Sequence, residues 1–116
     1  SPYVVAAIGP RQARRYFLTA ERFDAAEAMR IGLVHAVVAE DELKRTVADL
    51  AGAVLKNGPR ALAAAKDLIA AVKDKPIDAG VLDDVAGRIA AIRVSDEGRE
   101  GVAAFLGKRK PNWVKE

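Results

Sequence analysis

A chain of 116 residues fits one domain, and a domain of that size buries about two thirds of the surface its unfolded form exposes. Hydrophobic residues make up 51% of it, yet only 5% is aromatic and much of the rest is alanine, so its apolar faces are smooth and helix-prone. The lack of cysteine excludes disulfides, thiolate nucleophiles and Cys-based zinc sites, and a net charge of +3 lies far below that of a dedicated nucleic-acid binder. No apolar run reaches the length of a membrane span, and no basic segment followed by an apolar one opens the chain, so the expectation is a soluble, cytoplasmic protein.

Ser1-Pro2 reads as an N-cap followed by proline at the first helical position, and Gly9-Pro10 ends that short helix. Arg11 to Leu18 reads as a second helix with Ala13, Tyr16 and Phe17 on its apolar side, flanked by Arg11, Arg14 and Arg15. Asp24-Ala25-Ala26-Glu27 is a capping-box pattern, in which Asp24 accepts from the Glu27 amide while Glu27 reaches back. Gly32 supplies a left-handed stop, and Leu33 to Val38 follows as a brief strand or extended connector.

From Asp41 to Leu55 the residues Leu43, Val47, Leu50 and Val54 form one stripe of an amphipathic helix, broken at Asn57-Gly58-Pro59. The next helix presents Leu62, Ala65, Leu68, Ile69 and Val72 and stops at Lys75-Pro76. Another runs from about Asp78 to Val94 with Leu82, Val85, Ile89 and Ile92 aligned; Gly80 and Gly87 inside it each cost about 1 kcal/mol unless a neighbour needs close approach. Ser95 then caps a last helix that starts with Asp96 and Glu97 and stops near Leu106, where Gly107 can take a positive φ. Lys108, Arg109 and Lys110 form a basic knob beyond it, before Pro111.

The pattern predicts an all-α fold: short helices and a connector over 1–38, long helices over 39–94, and a C-terminal helix with a basic tail over 95–116. The Tyr16-Phe17 face and the run from Ile31 to Val38 are more apolar than so small a helical array buries, so a further surface is expected to cover them.

No catalytic constellation emerges from the residues. His35 is the only histidine and lies in an apolar run, which favours a packed, structural side chain over a metal ligand or a triad member. Asp41-Glu42 and Asp83-Asp84 are sequence neighbours, which on a helix point about 100° apart and cannot share a substrate atom. Gly98 and Gly101 follow no strand, so no phosphate loop is indicated, and no metal site is expected. Locally, the end of the chain is a capped surface helix with a solvated basic tail, or an apolar turn beside cations that suits a ligand with phosphates and a flat ring.

Five stretches in order resemble the C-terminal part of the enoyl-CoA hydratase/isomerase (crotonase) family. They are Ile8-Gly9-Pro10-Arg11 with Ala13-Arg14; Leu18 to Ala28; Ile31-Gly32-Leu33-Val34-His35; Gly58-Pro59 with Ala64-Ala65-Lys66; and Glu97 to Gly101 with Ala104 to Arg109. The resemblance covers essentially the whole chain but only the last part of a family member. It implies that the spiral ββα core, the catalytic glutamates and the oxyanion-hole amides lie upstream, so no catalytic residue is assigned here and the chain alone should be inactive. Glu21 and Glu27 belong to the motif around the short helix instead.

The resemblance further implies hydration or isomerisation of enoyl-CoA thioesters, as in fatty acid metabolism, through an enolate held by backbone amides. It implies that Phe105 and Lys108 approach the adenine and phosphates of the coenzyme A moiety, commonly at a neighbouring subunit's site, with no permanently bound cofactor. Leu106-Gly107 stands where many members have an apolar residue followed by glutamate, so one anion beside the lysine is absent. The expected partners are an acyl-CoA substrate and further copies of the chain, as a trimer or hexamer, without nucleic acid or membrane. The alternatives are a basic helical module that binds nucleic acid through Arg11, Arg14, Arg15 and the knob, or a protein-interaction adaptor.

Overall fold

The computed structural model describes residues 1–114. They form α1 (Pro2–Thr19), α2 (Ala25–Arg30), a 3-10 turn (Glu40–Glu42), α3 (Leu43–Leu55), α4 (Pro59–Val72), α5 (Ala79–Val94) and α6 (Asp96–Leu106). No strand occurs among the described residues, and the fold is all-α. The connector from Leu33 to Ala39 is irregular rather than a strand. The chain divides into two compact units, Ser1–Val47 and Ala48–Glu116, with the boundary inside α3.

In the first unit, α1 is two helices joined at Gly9, whose φ of 74° and ψ of 162° are reachable only by glycine. Pro2 occupies the first turn and the Ser1 carbonyl accepts from Val5, but the Ser1 side chain makes no cap bond. Ile8, Ala13, Tyr16 and Ile31 are buried together, with Val4, Val5 and Leu33 packed against them. The Asp24 carboxylate accepts from the Glu27 amide at 2.9 Å as the pattern predicts, while the Glu27 carboxylate turns away from the cap. Gly32 has the expected positive φ, 80°.

His35 does not pack: it is exposed, as are Val34 and Val37 beside it, because no other described element covers this connector. Phe17 and Leu18 are exposed as well, so the expected surplus of apolar surface at the front end is real, although Tyr16 and Ile31 find cover.

The second unit is held by α4, α5 and α6, which pack pairwise. Leu62, Leu68 and Val72 on α4 are half-buried, as are Val85 and Ile92 on α5. Asp78 caps α5 by accepting from the Val81 amide at 2.9 Å. Within α5 nothing lies within 4 Å of a Cβ built at Gly87, so no close neighbour among the described residues explains that glycine. Here Trp113 donates from Nε1 to the Lys56 carbonyl at 3.2 Å, tying the tail to the end of α3.

The apolar stripe of α3 is present but unpartnered: Leu43, Val47, Leu50 and Val54 are between 52% and 60% exposed. The chain exposes 9600 Å², whereas two compact units of these sizes held fully apart would expose about 7,300 Å². No helix among the described residues is long and apolar enough to cross a membrane.

Candidate functional site

Two groups of charged side chains stand out, one in each unit. In the first unit Tyr16, Glu21, Phe23, Asp24, Glu27 and three arginines line an open depression of about 340 Å³. Most of its polar groups are engaged with one another, Arg22 excepted. Glu27 accepts from the Tyr16 hydroxyl and from two nitrogens of Arg30, and Arg15 pairs with Glu21. The Arg30 guanidinium, then the Tyr16 hydroxyl, hold the Glu27 carboxyl at about 2, and the same hydrogen bond raises the Tyr16 phenol. Tyr16 also stacks at a tilt on Phe23, with ring centroids 4.6 Å apart. A carboxylate bound this firmly braces α1 against α2 and is a poor general base, in agreement with a structural part for Glu21 and Glu27.

The second group surrounds α6. At its start, Ser95 Oγ accepts from the Gly98 amide at 3.0 Å and donates to the Ile92 carbonyl at 2.6 Å, turning the chain sharply from α5 into α6. A Cβ at Gly98 would lie 2.1 Å from the Ile92 carbonyl oxygen, so the corner closes only over a glycine. Asp96 pairs with Arg99, which lowers its carboxyl.

Glu97 does more than favour its own helix dipole. Its carboxylate accepts from the Arg60 amide at 3.0 Å and the Ala61 amide at 2.8 Å, capping the start of α4. A Cβ at Gly58 would lie 2.3 Å from Glu97 Oε1, so a side chain at position 58 would have to displace this carboxylate.

The exit of α6 differs from the sequence expectation. Gly107 is right-handed, with φ of −79°, and the positive φ falls on Lys108, at 49°. The Lys108 amide donates to the Phe105 carbonyl at 3.2 Å and the Arg109 amide to the Ala104 carbonyl at 3.0 Å, a paired C-terminal closure normally completed by glycine at the position Lys108 fills. Gly107 takes angles open to any residue, and a Cβ there would lie 3.1 Å from the carbonyl oxygen of Ala103, the acceptor of its own amide.

The basic knob is likewise not uniform. Glu100 takes Arg109 in a two-pronged pair, Oε1 to Nη1 at 2.7 Å and Oε2 to Nη2 at 2.8 Å, and Oε1 also accepts from the Asn112 amide at 2.9 Å. Arg109 and then the Asn112 amide hold the Glu100 carboxyl at about 2, and the pair raises Arg109. Lys108 is exposed and in no ion pair among the described residues. Ala104 is 1% exposed on the inner side of α6, whereas the Phe105 ring is 81% and Leu106 74% exposed. Phe105 and Lys108 are therefore brought onto successive turns, linked through the main chain, with both side chains open. Sequence reasoning missed Glu97, Glu100 and Trp113 as the residues that fix this end of the chain. No group of three or more metal-ligating side chains occurs among the described residues.

The family model described as enoyl-CoA hydratase/isomerase matches residues 1–116. The chain belongs to the enoyl-CoA hydratase/isomerase family. Carnitinyl-CoA dehydratase of Salmonella typhi is 32% identical over 99 residues, covering 83% of this chain and 38% of that protein. Among solved structures, an enoyl-CoA hydratase/isomerase (crotonase) of Legionella pneumophila superposes with a TM-score of 0.94 at 44% identity, over 98% of this chain and 44% of that one. An enoyl-CoA hydratase of Shewanella pealeana gives 0.90 at 46% identity, over 97% and 42%. The chain thus spans less than half the length of these relatives. Its helices correspond to a C-terminal helical part of the crotonase fold.

Proposed function

We propose that residues 1–116 are the C-terminal helical part of an enzyme that hydrates or isomerises enoyl-CoA thioesters, and that they complete the coenzyme A pocket and make contacts between subunits. The observation that carries this reading is the end of α6, where an open aromatic ring, Phe105, stands one turn from an unpaired lysine, Lys108. A ring face suits adenine and an ammonium suits phosphate. In this reading the acid-base carboxylates and the oxyanion donors, each worth about 3 kcal/mol, come from outside these residues, and the chain alone is inactive. The exposed stripe of α3 and the Phe17-Leu18 face are the surfaces that other parts of a trimer or hexamer would cover.

Thermal denaturation of the complete protein in the presence of coenzyme A tests the pocket. A ligand that binds the folded state raises its stability with concentration, and Lys108→Ala or Phe105→Ala should shrink that rise by about 1.4 kcal/mol for each tenfold loss of affinity. Equal shifts for the wild type and both variants would remove these residues from the site.

A further inference from the structure

We infer that Glu100 is a positioning residue for the coenzyme A moiety, acting through Arg109 to present Lys108; this rests on the reading of Lys108 given above. The backbone of Lys108 is left-handed, φ 49°, a conformation that lysine enters only where the surrounding chain imposes it. On its N-terminal side the imposition comes from the closing bonds to Phe105 and Ala104. On its C-terminal side it comes from one carboxylate.

Glu100 holds both prongs of Arg109 and the main chain of Asn112, so the residues after Lys108 are folded back over α6 rather than leading away from it. Trp113 fixes the far end of this strap, with its indole on the Lys56 carbonyl and its ring against Gly101. The same carboxylate also sorts the charges. Of three consecutive basic residues it neutralises the middle one, leaving Lys108 and Lys110 exposed and in no ion pair among the described residues, with Lys108 three residues on from the open Phe105 ring. A guanidinium freed from Glu100 would release the strap and with it the conformation that presents Lys108.

The test is a double-mutant cycle on the complete protein, with coenzyme A titrated by calorimetry into the wild type, Glu100→Gln, Lys108→Ala and the double variant. Lys108→Ala is expected to weaken binding about tenfold and Glu100→Gln three- to tenfold, and the double variant is expected to bind no worse than Lys108→Ala alone, since both act through one ammonium. Arg109→Lys, which keeps the charge and loses the fork, should reproduce Glu100→Gln and serves if that variant does not fold. Unchanged or tighter binding by Glu100→Gln overturns the inference, as does a double variant in which the two losses multiply. If Lys108→Ala has no effect, or the wild type does not bind coenzyme A, the reading of the pocket fails and the inference with it.

Discussion

The contact between Glu97 and the start of α4 offers a quantitative test of how this helical array is held. Replacing Glu97 by alanine strips two amides, those of Arg60 and Ala61, of their acceptor. Loss of a helix cap of this kind costs about 1–2 kcal/mol. Replacing Gly58 by alanine should destabilise by a comparable amount through the same contact, because the new methyl group would sit 2.3 Å from Glu97 Oε1 and push the carboxylate off the amides. Backbone strain plays no part, since Gly58 has φ −63° and ψ 130°, which alanine adopts freely.

With Glu97 already removed, Gly58→Ala has nothing left to displace. The entropy it withdraws from the unfolded chain, about 0.4–1 kcal/mol, then roughly offsets the poorer N-cap. The second substitution is therefore expected to change stability by less than about 0.5 kcal/mol in that background, against about 1–2 kcal/mol in the wild type. Urea denaturation of the four proteins, followed by circular dichroism, measures the cycle. Costs that add within about 0.5 kcal/mol would refute the reasoning, because additivity means the two residues act separately.

Four further outcomes follow from the same geometry. Gly98→Ala should cost at least about 1–3 kcal/mol by forcing α5 and α6 apart at the Ile92 carbonyl, and a thermal midpoint equal to that of the wild type would contradict it. Lys108→Gly should raise stability by about 1 kcal/mol by relieving the left-handed lysine while weakening coenzyme A binding; a drop in both would show that no strain is stored there. Leu50→Lys, on the open stripe of α3, should leave the stability of the folded unit within about 0.5 kcal/mol yet lower the sedimentation coefficient of the assembled protein, and an unchanged assembly would remove this stripe from the subunit contacts. The Glu27 and Glu100 carboxyls lie at about 2 when folded against an ordinary 4.5, so the stability they contribute is complete above about pH 4.5 and is lost as the pH falls toward 2; Glu27→Gln and Glu100→Gln should each flatten that acid limb, and limbs parallel to the wild type would speak against the pairs.

The parts of the fold that were legible in the sequence are those decided within a few residues. The break at Gly9-Pro10, the cap at Asp24, the positive φ at Gly32, the interruption at Asn57-Gly58-Pro59 and the cap at Ser95 are all local, and all are found where the residues place them. What escaped depends on partners far along the chain. Glu97 reaches residues 36 and 37 positions away, and Trp113 reaches one 57 positions away, so neither link leaves a periodic signal. His35 was expected to pack because its neighbours are apolar, but burial depends on what arrives from elsewhere, and no other described element covers that connector. The shift of the positive φ from Gly107 to Lys108 is local by contrast: the closing bonds of Lys108 to Phe105 and of Arg109 to Ala104 put the left-handed residue one position later than the glycine suggests. At the candidate site, Phe105 and Lys108 are named through the family resemblance, but that Arg109 is the one of three adjacent cations held in an ion pair among the described residues could not be read from the sequence.

The bend in α1 is written twice. Gly9 alone can adopt the required φ of 74° and ψ of 162°, and Pro10 independently withholds an amide from the ladder and disfavours a helical residue before it. A side chain at position 9 would meet open space, yet it could neither sit comfortably in the bend nor remove it, because the proline would still enforce a break. A break between the two halves of α1 thus survives a single change at either position, although its angle would shift once Gly9 is replaced, and a straight rod would require both to be replaced together.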